Sequence, residues 1–179
     1  MKWCTFFFAI LPVAALGQTA QPDKVGLMLA NHQAGIICAP PSMGTAPAPD
    51  TIAGTTHLIN EEPEFVSTKR RVPAVLGIGF GVKSQAFDVA GIPEVTMTIT
   101  HPEMGKTSAT SQSYPTRISG EYPSLTFYQF DFNYELVTGL WQMEASQGGT
   151  IIYRTTFEVL PPEQVPELAT ICGFEDLLS

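Results

Sequence analysis

The chain contains three cysteines, and two of them, Cys38 and Cys172, lie where a covalent cross-link would matter most. They stand 134 positions apart, near the two ends of the region expected to fold. Redox-active pairs favour a close Cys-x-x-Cys spacing, which is absent, so the two read as a structural disulfide. Closing so long a loop stabilises by roughly 4–5 kcal/mol in the chain-entropy model, and often less in practice. Such a bond needs an oxidising compartment.

The three histidines, His32, His57 and His101, are the candidate metal ligands. Metal sites show close-spaced pairs or fixed motifs. These residues are isolated, and Pro102 separates His101 from Glu103. They are expected on the surface or in turns, with no metal or other cofactor. No Gly-x-Ser-x-Gly elbow is present, and Glu61-Glu62, Glu121 and Asp131 carry no context that would mark a catalytic pair. Enzymatic activity is therefore not expected. Gly77, Gly79 and Gly81 superficially resemble a phosphate loop, but they alternate inside an extended segment with no helix after it. Lys69-Arg70-Arg71 is the one dense positive cluster. It reads as a solvated strand end, or as a contact point for an anionic partner. Tyr122, Tyr128, Phe130 and Phe132 form a core face or, if exposed, a binding platform.

The elements that must position these groups are extended. Leu76, Ile78, Phe80 and Val82 alternate with glycines and Lys83, and the bare glycine face implies a close neighbour, a bulge or an edge. Val95, Met97 and Ile99 alternate with threonines in a strand expected to end at His101-Pro102. Residues 125–134 are aromatic and β-prone. Trp141, Met143 and Ala145, then Gly148-Gly149, then Tyr153, Thr155, Phe157 and Val159 predict a hairpin, because Gly-Gly tolerates the positive φ of a tight turn. Residues 25–29, 34–38 and 64–68 are further short strand candidates, residues 51–60 are ambiguous, and residues 103–113 read as loop. The Pro/Ala-rich stretch 39–50 reads as an extended loop without a regular ladder. Residues 163–171 read as a short helix that Gly173 stops. The sum is an all-β, antiparallel immunoglobulin-like sandwich of about seven strands over residues 18–160, with a tail over 161–179 carrying the short helix.

Lys2, the apolar run of residues 3–16 and Ala15-Leu16-Gly17 form a secretory signal with cleavage after Gly17. Its removal also removes Lys2 and moves the formal charge from −8 to −9. So acidic a product disfavours nucleic acid and anionic lipid. No later apolar run reaches 18 residues, so no membrane span is expected after cleavage, and the product is expected in the periplasm or outside the cell.

Three segments in order carry a family resemblance: residues 71–81 (RVPAVLGIGFG), residues 95–102 (VTMTITHP) and residues 134–141 (YELVTGLW), followed by Phe157-Glu158-Val159. Together they resemble the bacterial DUF3859 family. The resemblance covers roughly residues 35–159 and implies an immunoglobulin-like sandwich in exported proteins, with no activity to carry over. The Pro/Ala-rich loop and the cysteine-bearing tail depart from it. The functional expectation is a non-enzymatic binding or adaptor module of the cell envelope, contacting an unidentified protein or envelope glycan. A small carbohydrate-active or hydrolytic accessory domain and a purely structural envelope protein are the alternatives.

Overall fold

Period-two alternation builds the frame, and its inward residues meet across two sheets. The computed structural model describes residues 21–40, 42–105 and 108–178, so the leader expected at residues 1–17 lies outside them. Among the described residues there are eleven strands: β1 (Lys24–Val25), β2 (Leu29–Cys38), β3 (Ser42–Pro47), β4 (Thr55–Ile59), β5 (Arg71–Pro73), β6 (Ile78–Ala86), β7 (Ile92–Met104), β8 (Ala109–Ile118), β9 (Ser124–Gln129), β10 (Gly139–Gln147) and β11 (Thr150–Leu160). One sheet runs β1-β11-β10-β7-β8, with β5 also paired to β11. The second runs β2-β6-β9, and β3 and β4 form a separate hairpin. All pairs are antiparallel except β5 with β11, which is parallel.

The β10–β11 hairpin forms as its alternation dictates. Trp141 faces Phe157 and Met143 faces Thr155, and the turn is Gly148-Gly149 with φ of 54° and 81°. Trp141, Phe80, Phe130 and Phe157 are fully buried and meet between the sheets, with Phe80 5.6 Å from Trp141 and 4.8 Å from Phe157 between ring centroids. Burying each large apolar side chain contributes about 1.5–3 kcal/mol. Of the three readings of the bare glycine face of β6, the close neighbour holds: a Cβ at Gly81 would stand 2.3 Å from the Thr126 carbonyl oxygen of β9. Across from it, a Cβ at Gly35 would stand 2.4 Å from the Phe65 ring, where the 61–67 segment covers this sheet. Lys83 anchors that cover through Glu62 (3.0 Å) and Glu64 (3.3 Å). Burial presses its ammonium pKa down, but the two carboxylates outweigh burial and the net shift is upward.

The structure corrects several expectations. Residues 39–50 are not a loop throughout, because β3 pairs with β4. Pro47 costs no ladder bond at the end of a strand whose sole partner is β4. The β7 strand does not end at His101-Pro102; it continues to Met104 and pairs with Ala109 of β8 after a register shift. Pro102 falls in that irregular stretch, beyond the residues that β10 pairs. Residues 103–105 and 108–113 are accordingly strand and turn. Residues 64–68 contribute only a bridge, Ser67 to Ile36, and residues 26–28 turn away after the two-residue β1. Strands over the hairpin, β5 and β8 raise the count above the expected seven.

The tail joins the core. Three 3-10 turns (Pro162–Gln164, Pro166–Leu168, Glu175–Leu178) surround one α-turn, α1 (Ala169–Cys172), so the expected helix is shorter and more broken than residues 163–171. Pro166 sits at the start of a 3-10 turn, and Gly173 stops α1 in the left-handed region at φ 75°. Val165, Leu168, Ala169 and Phe174 are buried in the common core, and Cys172 is bonded to Cys38 at the end of β2.

Candidate functional site

The chain segment after β9 is shaped by one buried carboxylate. Phe130 extends the β6–β9 pairing, with its N–H donating to Ile78 O at 3.0 Å. The chain then makes a 3-10 turn at Asn133–Glu135, and Glu135 folds back beneath it. Glu135 is 1% exposed. Its Oε2 accepts from the backbone N–H of Asp131 (2.7 Å) and Phe132 (2.9 Å), and its Oε1 accepts from the Tyr128 hydroxyl (2.7 Å). Burial and then the Glu135 charge raise the Tyr128 pKa, which keeps the phenol a donor. A buried carboxylate is tolerable when its oxygens are so satisfied.

This clamp fixes Asp131, whose side chain reaches the β3–β4 hairpin. His57 Nε2 lies 2.9 Å from both Asp131 oxygens, and Gln129 Nε2 donates to Asp131 Oδ1 at 2.9 Å. A second fastening lies nearby, where the Ile52 N–H donates to Gln112 Oε1 of β8 at 2.9 Å. The hairpin strands are otherwise mostly exposed. Between the hairpin, β8 and β9 lies a cavity of about 430 Å³. Ile99, Pro115 and Phe127 supply apolar wall, and Tyr114, Gln112 and Gln129 supply polar groups. Burial pushes the Tyr114 phenol up to about 12. Gln129 Oε1 is buried without a hydrogen-bond partner. Asp50, Asp131 and Glu135 line the cavity, and among the described residues its lining includes no Lys or Arg.

Of the residues considered from sequence, Asp131 and His57 meet here although 74 positions separate them, and neither spacing nor motif announced it. His57 Nδ1 also lies 3.0 Å from Ser42 Oγ, which gives a Ser42–His57–Asp131 series. The Ser42 hydroxyl is engaged locally: it donates to Gly44 O at 2.8 Å and accepts from Gly44 N at 3.2 Å. Ser42 does not line the cavity.

His101 is fully buried rather than at the surface or in a turn. It lies 4.9 Å from the Trp141 ring with Nδ1 2.8 Å from Pro102 O, and burial lowers its pKa. The alternation of Val95, Met97 and Ile99, carried one step further, places it on the inner face. His32 is partly buried on β2, 3.0 Å from Thr155 Oγ1, and burial lowers it too. No group of three or more His, Cys, Asp or Glu among the described residues is arranged to hold a metal ion. Tyr128 and Phe130 are core, while Tyr122 and Phe132 are exposed. Phe132 stacks on Tyr134 with centroids 5.3 Å apart. The basic cluster is spread over separate partners: Lys69 to Glu167 at 3.3 Å, Arg70 to Asp23, and Arg71 to Gln164 O at 3.0 Å. Arg70 borders a second groove with His32 and Arg154, away from the cavity. Glu61 and Glu121 do not line the cavity. No helix among the described residues is long and apolar enough to cross a membrane.

Comparison with known proteins agrees with this architecture. The chain is similar to an immunoglobulin-like protein from Pseudomonas aeruginosa whose crystal structure aligns over 78% of this chain and 98% of that one, at 16% identity and a TM-score of 0.50. At that identity the likeness concerns the fold. No curated protein matches the sequence. Residues 29–159, from the first residue of β2 to the penultimate residue of β11, match the model of a domain of unknown function, and the chain belongs to that family, DUF3859.

Proposed function

We propose that this protein is a non-enzymatic binding module of the bacterial cell envelope and that its site is the cavity beneath the β3–β4 hairpin. The observation that carries the reading is the cavity itself, about 430 Å³ with mixed lining. Ligand sites are typically concave, roughly 300–1,000 Å³, largely apolar, with a few placed polar groups. The hairpin is held over it by few contacts, chiefly His57 to Asp131 and Ile52 to Gln112. Export rests on the leader at residues 1–17 and on the use of Cys38 and Cys172 as a disulfide. Mass spectrometry of the secreted protein should give an N-terminus at Gln18. Crystals soaked in a small-fragment mixture should show density between Tyr114, Gln129 and the hairpin. Fragments clustering elsewhere, with that cavity vacant, would overturn the assignment.

A second reading, a small hydrolase, draws on the Ser42–His57–Asp131 series. It requires the Ser42 proton to pass to His57, whereas the hydroxyl is engaged by Gly44. Incubation with a fluorophosphonate and turnover of p-nitrophenyl acetate separate the two. Labelling at Ser42 that Ser42→Ala abolishes would favour the hydrolase, and its absence favours the binding module.

A further inference from the structure

We propose that the cavity takes an alkylammonium group, an aliphatic stem ending in a primary amine, as in a lysine side chain or a free diamine. This rests on the binding reading above and adds the class of ligand.

The charge balance of the lining is the first argument. Among the described residues, Asp50, Asp131 and Glu135 line the cavity with no Lys or Arg, and His57 is the one described lining group able to carry positive charge. Its Nε2 already faces Asp131. Elsewhere the carboxylates that meet cations do so in pairs with Lys69, Arg70, Lys83 and Arg154. Among the described residues, neither Asp50 nor Glu135 appears in any ion pair. Glu135 is satisfied by three hydrogen-bond donors, but those donors leave its charge uncompensated. Uncompensated carboxylates around a recess with low-dielectric walls focus a negative potential, which attracts a cation and repels phosphate, sulfate or carboxylate ligands.

The open hydrogen-bonding capacity agrees. Gln129 Oε1 is a buried acceptor with no donor, and it belongs to the same lining as Asp131. An ammonium has three donors and no acceptor, so it meets such a set without a mismatch. The rest of the wall suits the stem. Ile99, Pro115 and Phe127 offer apolar contacts, and Tyr114 belongs to the same wall.

The test is a titration followed by amide chemical shifts and by calorimetry, with four probes of matched length. Putrescine represents the free diamine and Nα-acetyl-lysine methylamide the peptide side chain; 1,4-butanediol and succinate are the neutral and anionic controls. One or both amines should bind saturably and shift Gln112, Tyr114, Gln129 and Asp131, and the tighter of the two identifies the source. Butanediol should bind about tenfold more weakly, the difference between charged and neutral hydrogen bonds, and succinate should not bind. Asp50→Asn, an exposed position at the cavity, should weaken amine binding about fivefold, and added salt should weaken it further. Butanediol or succinate shifting the cavity as strongly as the amines would overturn the ammonium class and leave the cavity as the site. Amine shifts scattered over exposed carboxylates such as Glu121, with none in the cavity, would overturn the class and mark non-specific attraction. No shift from any probe would count against the cavity itself.

Discussion

The arrangement around Glu135 makes a quantitative demand on stability. Three donors converge on this carboxylate: the Tyr128 hydroxyl and the N–H groups of Asp131 and Phe132. Hydrogen bonds to charged groups contribute about 1.5–3 kcal/mol each, and neutral ones about 0.5–1.5 kcal/mol. Glu135→Gln keeps the shape but removes the charge, and it also places one amide N–H opposite a donor. Losing charge assistance on three bonds costs about 3 kcal/mol, offset in part because a neutral amide is cheaper to bury, so a net loss of about 1–2 kcal/mol is expected. Glu135→Ala leaves all three donors unmet and should cost about 3–5 kcal/mol. Tyr128→Phe removes one donor and should cost about 1–2 kcal/mol. Because Tyr128 and Glu135 share a bond, the double variant Tyr128→Phe, Glu135→Ala should be less destabilised than the sum of the singles by about 1–2 kcal/mol. Urea unfolding with midpoint and slope fitted together measures each term. Additivity within about 0.5 kcal/mol, or a cost under about 1 kcal/mol for Glu135→Ala, would refute the clamp.

Three further expectations follow from other parts of the fold. Cys38→Ser opens a cross-link spanning 134 positions, but Leu168, Ala169 and Phe174 still bury the tail, so the loss should be about 2–4 kcal/mol, or about 5–15 °C in melting temperature, read by calorimetry against oxidised wild type. His57→Ala removes a hairpin fastening rather than core, so hydrogen exchange at Thr45 and His57 neighbours should accelerate while global stability falls by only about 1 kcal/mol; unchanged exchange would remove the fastening role. His101 has a pKa lowered by burial. Its unfolded form therefore takes a proton first as pH falls below about 6.5, so this residue's stability contribution is present above that pH and is lost towards the lowered folded value. His101→Asn should flatten the stability–pH slope in that window, whereas an unaltered slope would place the proton uptake elsewhere.

How much of this was legible depends on whether the signal is local. The β10–β11 hairpin was readable because its alternation and its Gly-Gly turn lie within one short stretch and agree. The glycine face of β6 limited its surroundings to a close neighbour, a bulge or an edge, and only the packing of β9 against Gly81 selects the first. The disulfide followed from two cysteines and a leader. The β3–β4 hairpin was hidden because prolines around residues 40–49 outweigh weak strand signals in a pattern-based reading, yet an edge hairpin with one partner has no ladder bond for Pro47 to break. His101 is buried against expectation because a His-Pro step reads as a strand end, whereas β7 carries Pro102 where β10 no longer pairs. The site was least legible of all. Asp131, His57 and Gln112 come from three elements, and only the packing of the hairpin across β8 and β9 brings them together.

The claim that the recess under the hairpin is the binding site is tested most directly by removing the roof. Replacement of residues 42–59 with a short Gly/Ser linker leaves both sheets of the sandwich in place. Amide spectra of wild type and variant would be recorded with the same fragment mixture. The expected result is a retained core spectrum, with fragment shifts around Gln112, Tyr114 and Gln129 in wild type that vanish in the variant. Shifts that survive loss of the hairpin, or that never touch these residues in wild type, would contradict the account.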